Sequence, residues 1–222
     1  MLKKGVILLS IVFMIARQCH GQGLEVEILI RPVVTSLRGN EVVKTNYDPT
    51  VRFSVGVGLN YYYTAQSAIS LTILYDRKGA KGESTIILRD DQNQVIGQGT
   101  LSQEFYFDYL TIPIQWRHRF GNKIKFEAGG GIYTGVLLAS ELRLKGFGLN
   151  SNSDVSEDVK MMDFGLTVSF GTVIPFNDNL ALRIGLNDNL GIVNVSKFPV
   201  ANDGTIKHNS IGLAVGLSLR LN

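Results

Sequence analysis

The sequence predicts an eight-stranded antiparallel up-and-down transmembrane β-barrel over residues 22–222. Three observations predict it. Apolar residues recur at every second position in eight segments, as in strands with one apolar face. The connections between these segments alternate between short turns and long polar loops. After residue 22, no apolar run reaches the roughly 20 residues that a membrane helix needs.

The first segment has the composition of a secretory signal peptide, predicted here as residues 1–21. Lys3 and Lys4 precede an apolar run over 5–16, and Gly21 is a small residue at the predicted cleavage site. The sequence therefore predicts an exported protein whose mature part is a single domain, residues 22–222.

Cys19 is the only cysteine, so a lipid anchor is an alternative to cleavage. We favour cleavage, because Arg17 and Gln18 stand where small residues precede a lipidated cysteine. The mature part then has no thiol and no disulfide. The signal holds three basic residues and no acidic one, which leaves 19 basic against 19 acidic residues. This neutral balance gives no reason to expect a nucleic-acid partner.

The strand elements follow from the alternation, which is clearest where every second residue from Ile211 to Leu221 is aliphatic. The predicted strands are residues 24–36, 51–64, 67–77, 105–119, 124–139, 160–174, 180–188 and 207–221. Short turns are predicted at 65–66, 121–123 and 175–179, and long loops at 37–50, 78–104, 140–159 and 189–206. Short turns on one side and long loops on the other are typical of outer-membrane barrels.

A soluble β-sandwich is the alternative explanation of the same alternation. Two features favour the membrane barrel. The polar faces are rich in glycine and serine, which suits a small lumen. Aromatic residues on the apolar faces gather near strand ends, as in the girdles at the two membrane interfaces. They are Phe53, Tyr75, Tyr106 and Phe164 at the loop ends, and Tyr61, Tyr63, Trp116, Phe126 and Phe170 at the turn ends.

Charged residues also fall on the inward face. They are Glu25, Glu27, Arg31, Arg52, Arg117, Lys125, Glu127, Asp163, Arg183 and Arg220. The interior of an eight-stranded barrel is just wide enough for side chains to fill, and buried charges are costly unless they are paired. The sequence therefore predicts a structural cluster of lumenal charges that closes the barrel. A narrow ion-conducting path is the functional alternative.

The sequence offers little for catalysis or cofactor binding. His208 has Asp203 and Ser210 nearby in sequence, which suggests a hydrolase or lipid-modifying barrel only if geometry brings them together. His118 is predicted at the membrane interface. Residues 90–94 lack the glycine and terminal glutamate of a calcium loop, and we predict them as the turn of an external hairpin between 85–88 and 95–97. We predict no catalytic residue, no cofactor and no metal site.

Pro113 breaks the rule that proline stays at sheet edges or bulges, since a closed barrel has no edge. The alternation of side chains along the strand places the Pro113 side chain inside the barrel. We predict a gap in the hydrogen-bond ladder there, relieved by a local bulge, with the ring inside the barrel.

One stretch carries a family resemblance. Residues 107–117 read FDYLTIPIQWR and are followed by Phe120-Gly121 and by Phe126-Glu127-Ala128-Gly129-Gly130. This stretch resembles the PorT-like small outer-membrane β-barrel proteins of Bacteroidetes. The resemblance implies residence in the outer membrane, with membrane lipid and the barrel-insertion machinery as partners. It also suggests contact with secretion or envelope-assembly proteins, without implying a mechanism. A loop-based surface binding protein or adhesin is the alternative.

Overall fold

The computed structural model of the protein describes residues 23–122, 124–146, 148–200 and 204–221. The predicted signal peptide, residues 1–21, lies outside the described residues and stays a prediction. The described chain is almost entirely antiparallel β-structure. None of the described helices is long and apolar enough to cross a membrane.

The elements in chain order are β1 (Gly23–Arg38), α1 (Glu41–Asn46), β2 (Thr50–Tyr62), β3 (Ser67–Arg89), β4 (Val95–Phe120), β5 (Lys125–Gly146), β6 (Leu149–Asp154), a 3₁₀ turn (Ser156–Asp158), β7 (Met162–Pro175), β8 (Leu180–Gly191) and β9 (Lys207–Leu221). Neighbouring strands pair in the order β4-β3-β2-β1-β9-β8-β7-β5, and the pairing of β4 with β5 closes the ring. The predicted eight-stranded up-and-down barrel is confirmed.

β6 is the one described strand outside the ring, because it pairs only with the far end of β5. Both chain ends of the barrel lie beside the short turns, since Gly23 on β1 pairs with Tyr62 on β2 and Leu24 pairs with Leu221 on β9. We call this side the turn end and the opposite side the loop end.

The burial pattern shows which face of each strand meets the membrane. In β1, Ile28 and Ile30 are 63% and 58% exposed, whereas Glu27 and Arg31 are 5% and 3% exposed. A soluble sandwich would bury the aliphatic side chains and expose the charged ones. This reversed pattern requires an apolar environment around the barrel, so the soluble alternative fails.

The predicted aromatic girdles lie on the outer surface. At the turn end, Trp116 is 50% exposed and its indole Nε1 donates a hydrogen bond to the hydroxyl of Tyr63 at 2.8 Å. At the same end, Phe126 and Phe170 stack on each other from the neighbouring strands β5 and β7. Amphipathic rings of this kind favour the membrane–water interface.

Two of the predicted loops are largely strand. β3 and β4 stay paired through residues 78–104, and β5 and β6 occupy much of 140–159. The loop prediction was wrong there, because polar outward side chains obscured the alternation beyond the membrane. The predicted external hairpin is confirmed: Ile87 pairs with Gln98, and the Asp90 carboxylate accepts hydrogen bonds from the backbone N–H groups of Gln92 and Gln94.

Pro113 lies inside the barrel, where it is buried and lines a lumenal cavity. The ladder between β3 and β4 has a gap there, between the pairs Leu71–Ile114 and Leu74–Thr111. Both parts of that prediction are confirmed. The predicted bulge is absent, since the register is the same on both sides of the gap. Because proline has no N–H group, the ladder is interrupted here, and neither strand contains an extra residue.

Candidate functional site

The turn-end half of the lumen is filled by charged side chains from five strands. This turn-end cluster consists of Glu25, Glu27, Arg117, Arg119, Glu127, Arg183 and Arg220. Each of its carboxylates contacts at least two guanidinium groups. The charges are therefore paired, as burial inside a narrow lumen demands.

Arg119 shows how closely these groups fit. Its Nη1 and Nη2 atoms donate to the two carboxylate oxygens of Glu25 at 3.1 and 2.8 Å. Its Nε atom donates to Glu127 at 3.0 Å. Arg183 donates to Glu27 at 2.9 Å and also to Glu127. Bidentate and shared contacts of this kind hold side chains in one geometry, so this layer is a rigid plug.

A second group, the loop-end cluster, consists of Arg31, Asp76, Lys78 and Asp163. The Lys78 ammonium lies 2.7 Å from Asp163 and 3.9 Å from Asp76, and Arg31 lies 3.4 Å from Asp76. The Tyr133 hydroxyl donates to the same Asp163 oxygen at 3.2 Å. Two positive and two negative groups balance, and all four are nearly inaccessible to solvent.

A cavity of about 70 Å³ separates the two clusters and is lined by Glu27, Arg31, Pro113, Arg117 and Arg183, among others. This space is small, far below the size of a porin channel.

An apolar cap covers the loop-end cluster. Its buried residues are Leu37, Val43, Ala80, Phe107, Tyr109, Val159 and Val195. Backbone hydrogen bonds join the loops that carry it: Lys160 N–H donates to the carbonyl of Val195 at 2.7 Å, and Lys197 N–H donates to that of Asp158 at 3.0 Å. The mouth at the loop end is therefore closed by packed and hydrogen-bonded chain.

Beyond the cap, the paired outer parts of β3, β4, β5 and β6 form a sheet that projects from the barrel, which we call the loop-end sheet (residues 79–89, 95–107, 140–146 and 149–154). On its outer face the Tyr106 ring has the guanidinium carbons of Arg52 and Arg143 at 4.3 and 4.4 Å from its centroid. At the end of β6, hydrogen bonds from the Ser156 side chain and backbone lower the pKa of Asp154. Cross-strand pairing and these contacts make the sheet an ordered surface.

The structure places eight of the ten predicted lumenal residues in the two clusters. They are Arg31 and Asp163 at the loop end, and Glu25, Glu27, Arg117, Glu127, Arg183 and Arg220 at the turn end. Lys125 is half-buried at the start of β5, and it forms no ion pair with any residue that the structure describes.

Arg52 lies elsewhere, which corrects its assignment to the lumen. The pairing of β2 with β3 ends at Ser54–Asp76, so the two strands part above that point. The Arg52 side chain lies against Gly79. A Cβ atom added to Gly79 would lie 3.1 Å from the Nε atom of Arg52. Its Nη2 atom donates to Glu104 on the loop-end sheet at 2.7 Å. β2 is still paired with β1 at Arg52, so parity fails to predict the position of a side chain where a strand has lost one of its two neighbours.

Three charged residues of the two clusters were missed from the sequence: Asp76, Lys78 and Arg119. Arg119 shares its parity with Arg117, so the alternation already contained that signal. Asp76 and Lys78 continue the inward face of β3. Lys78 fell outside the predicted strand because residues 78–104 were assigned to a loop.

The structure buries His208 in the cap region. His208 and Ser210 are each 1% exposed, and the His208 ring packs against Phe107 at 4.8 Å between centroids. The hydroxyl of Tyr109 lies 3.4 Å from its Nε2 atom. Asp203 lies outside the described residues. This packing shields His208 from solvent. The described residues therefore form no accessible hydrolase site around it.

Several solved structures match the chain, and the match to Neisserial surface protein A supports the fold. Neisserial surface protein A matches with a TM-score of 0.51 and 14% identity, over 90% of this chain and 99% of that one. Ail from Yersinia pestis matches at 0.42 and 9% identity, over 90% and 99% of the two chains. The outer membrane protease OmpT from Escherichia coli matches at 0.45 and 8% identity, over 91% and 98%.

A search for curated relatives found none that matches the sequence. The family described as "Outer membrane protein beta-barrel domain" matches residues 23–191, which cover seven of the eight ring strands. This match, the closed ring and the exposed aliphatic band agree. The chain belongs to the outer membrane protein beta-barrel domain family and is a protein of the outer membrane.

Proposed function

We propose that the protein is a non-enzymatic barrel that acts by contact, presenting its loop-end sheet to another protein at the cell surface. One observation carries the proposal: the lumen is closed by two ion-pair clusters and an apolar cap, while an ordered sheet projects beyond them. In outer-membrane barrels the long loops face outward. The accessible and distinctive surface is therefore the sheet.

The first candidate partner is a component of protein secretion or envelope assembly, because the stretch around Ile112-Pro113-Ile114 resembles the PorT-like proteins. Surface attachment is the second candidate, supported by the exposed aliphatic residues at the tip of the sheet. Catalysis has less support, because His208 and Ser210 are buried under the cap.

The test is a truncation that removes the projecting hairpin and keeps the barrel. Residues 83–102 are deleted, and Gly82 is joined to Gln103, its partner across the ladder, by an Asn-Gly turn. The deleted segment lies beyond the cap, so the barrel should insert as before. We expect the truncated protein to fail to complement a deletion strain.

The readout separates the candidates. Loss of secreted cargo supports the secretion partner, loss of adhesion supports surface attachment, and altered lipid chemistry supports an enzyme. Full complementation by the truncated protein in all three assays would contradict the proposed function.

A further inference from the structure

The outer part of β3 is a free sheet edge. β2 pairs with β3 only as far as Asp76, and one isolated bridge joins Asp48 to Lys81. Beyond Lys81, no backbone partner lies on this side of β3 among the residues that the structure describes. The free edge, residues 82–89, reads GESTIILR.

The hydrogen bonds of Lys81 show which groups point to this edge. Its N–H donates to the carbonyl of Asp48, and its carbonyl accepts from the Asp48 N–H. Backbone groups alternate in direction along a strand, so Glu83, Thr85 and Ile87 also present their N–H and carbonyl groups to the free side. The one irregularity nearby falls on β4, where Ile96 is the extra residue, and β3 itself stays regular.

The two edges of the loop-end sheet differ in how they are protected. β6 is short, and after Leu149 it carries only asparagine, serine and aspartate. The β3 edge is longer, has no proline, and carries the exposed aliphatic residues Ile87 and Leu88, which are 48% and 45% exposed. Natural edges are usually blunted because they can pair with another chain. Between the charged residues Glu83 and Arg89, residues 84–88 of the β3 edge carry no charge and no proline, so the centre of this edge lacks such protection.

We propose that this edge pairs with the same edge of a second copy, with the two copies standing in facing membranes. The inference rests on the proposed function, since it names the partner of the loop-end sheet. Two identical edges related by a twofold axis form an isologous antiparallel pair, and hydrogen-bonded positions must then face each other.

One register satisfies this condition and also matches the charges. Thr85 lies opposite Ile87 of the second copy, and the two residues exchange backbone hydrogen bonds. Ile86 then faces Ile86 of the second copy at the twofold axis. In the same register, Glu83 lies opposite Arg89 of the second copy, so that an opposite-charge pair flanks the aliphatic centre on each side. Opposite charges directly across a ladder stabilise it, and like charges destabilise it.

The direction of β3 decides where the second copy stands. β3 runs from the turn end towards the tip in every copy, so two copies in one membrane both run outward. Antiparallel pairing therefore joins copies that project towards each other from two membranes. The strand between Arg77 and Ile86 is about 30 Å long, and strands tilt by about 45°. The paired membranes would be roughly 40–60 Å apart.

A single strand pair gives a small interface, and such interfaces are weak. Many copies in two facing membranes bind together, however, which raises the overall avidity far above the affinity of one pair. The proposed contact thus joins cells or vesicles that both carry the protein.

The experiment inserts the purified full chain into preformed phosphatidylcholine vesicles that carry one of two dyes, and measures the rate of clustering between the two populations. Wild type should cluster with wild type and should ignore empty vesicles. Glu83→Arg should cluster with itself about tenfold more slowly or worse, because two arginines then face each other. Arg89→Glu should show the same loss, because two glutamates then face each other.

Mixing the two single variants is the decisive arm. Vesicles with Glu83→Arg should cluster with vesicles that carry Arg89→Glu, because each facing pair is again of opposite charge. Glu41→Arg is the matched control, since the Glu41 side chain is 86% exposed and its ion pair is with Lys44 on the same helix. It should cluster like wild type.

The pairing is overturned if wild type fails to cluster, if both single variants cluster like wild type, or if the mixed variants gain nothing. These failures are distinct from failure of the proposed function. If the strain with the truncated protein loses secretion or adhesion while wild-type vesicles do not cluster, the proposed function is supported and the pairing is contradicted. If wild-type vesicles cluster and the truncated protein complements fully, the pairing is supported and the proposed function is contradicted.

Discussion

The guanidinium group of Arg119 on β4 makes two hydrogen bonds, at 3.1 and 2.8 Å, to the carboxylate of Glu25 on β1, across the lumen. Both side chains are almost fully buried. This contact joins strands from distant parts of the sequence and shows that the turn-end cluster spans the barrel from wall to wall.

Replacing Arg119 should destabilise the barrel strongly. Arg119→Met leaves Glu25 buried with Arg220 as its remaining partner, and breaking a buried pair in this way costs about 3–5 kcal/mol. The free energy of unfolding, measured by urea titration in lipid vesicles, should fall by about that amount. Arg143→Met is the matched control: Arg143 pairs with Glu141 on the surface, and its loss should cost less than about 1 kcal/mol. Equal losses for the two variants would refute a buried, paired cluster.

The closed lumen should be silent in conductance measurements. Both ion-pair clusters and the cap lie across any path through the barrel. Purified protein in planar bilayers should therefore show no stable conductance of porin size. Long-lived large channels from the wild-type protein would contradict the plug.

The loop end should face outward from the cell. Cysteines placed at Ser102 and Ser151, on β4 and β6, should react with a membrane-impermeant reagent in intact cells. A cysteine at Asn122, in a tight turn at the opposite end, should react only after lysis. The natural chain has one cysteine, Cys19, in the predicted signal peptide. Labelling of the Asn122 position alone in intact cells would invert the topology.

Trp116 should report on the turn-end interface, because it is the only tryptophan and half of its side chain is exposed on the lipid face. In vesicles, its fluorescence should be quenched more by lipids brominated near the headgroup than by lipids brominated deep in the acyl chain. Trp116→Phe supplies the background. Stronger quenching from the deep position would move this residue away from the interface.

The barrel could be predicted from the sequence because alternation survives wherever a strand crosses the membrane. In β9 the aliphatic positions from Ile211 to Leu221 alone place one face in lipid. The same logic located Arg31, Arg117 and Arg183 in the lumen. It failed for Arg52, because β2 and β3 separate there and the side chain leaves the inward face.

The loop-end sheet could not be predicted in full, because outside the membrane both faces of a strand can be polar. Residues such as Lys81, Glu83 and Ser102 read as loop in the sequence, yet ladder pairing with a neighbouring strand holds them in β-structure. The sequence also could not predict which charged residues contact each other across the lumen. Parity gives the face of Glu25, whereas its contact with Arg119 depends on barrel closure and strand tilt.

The turn-end cluster also bears on how the protein enters the membrane. Glu25 and Glu27 lie on β1, Arg119 on β4, and Arg183 and Arg220 on β8 and β9. A partly inserted chain that lacks β8 and β9 would leave Glu27 with Arg117 alone and Glu25 with Arg119 alone, and incompletely paired charges in hydrocarbon are costly. The full set of ion pairs forms only when the last strands meet the first. Membrane insertion should therefore be cooperative, because the ion pairs stabilise the completed ring more than any partly inserted form.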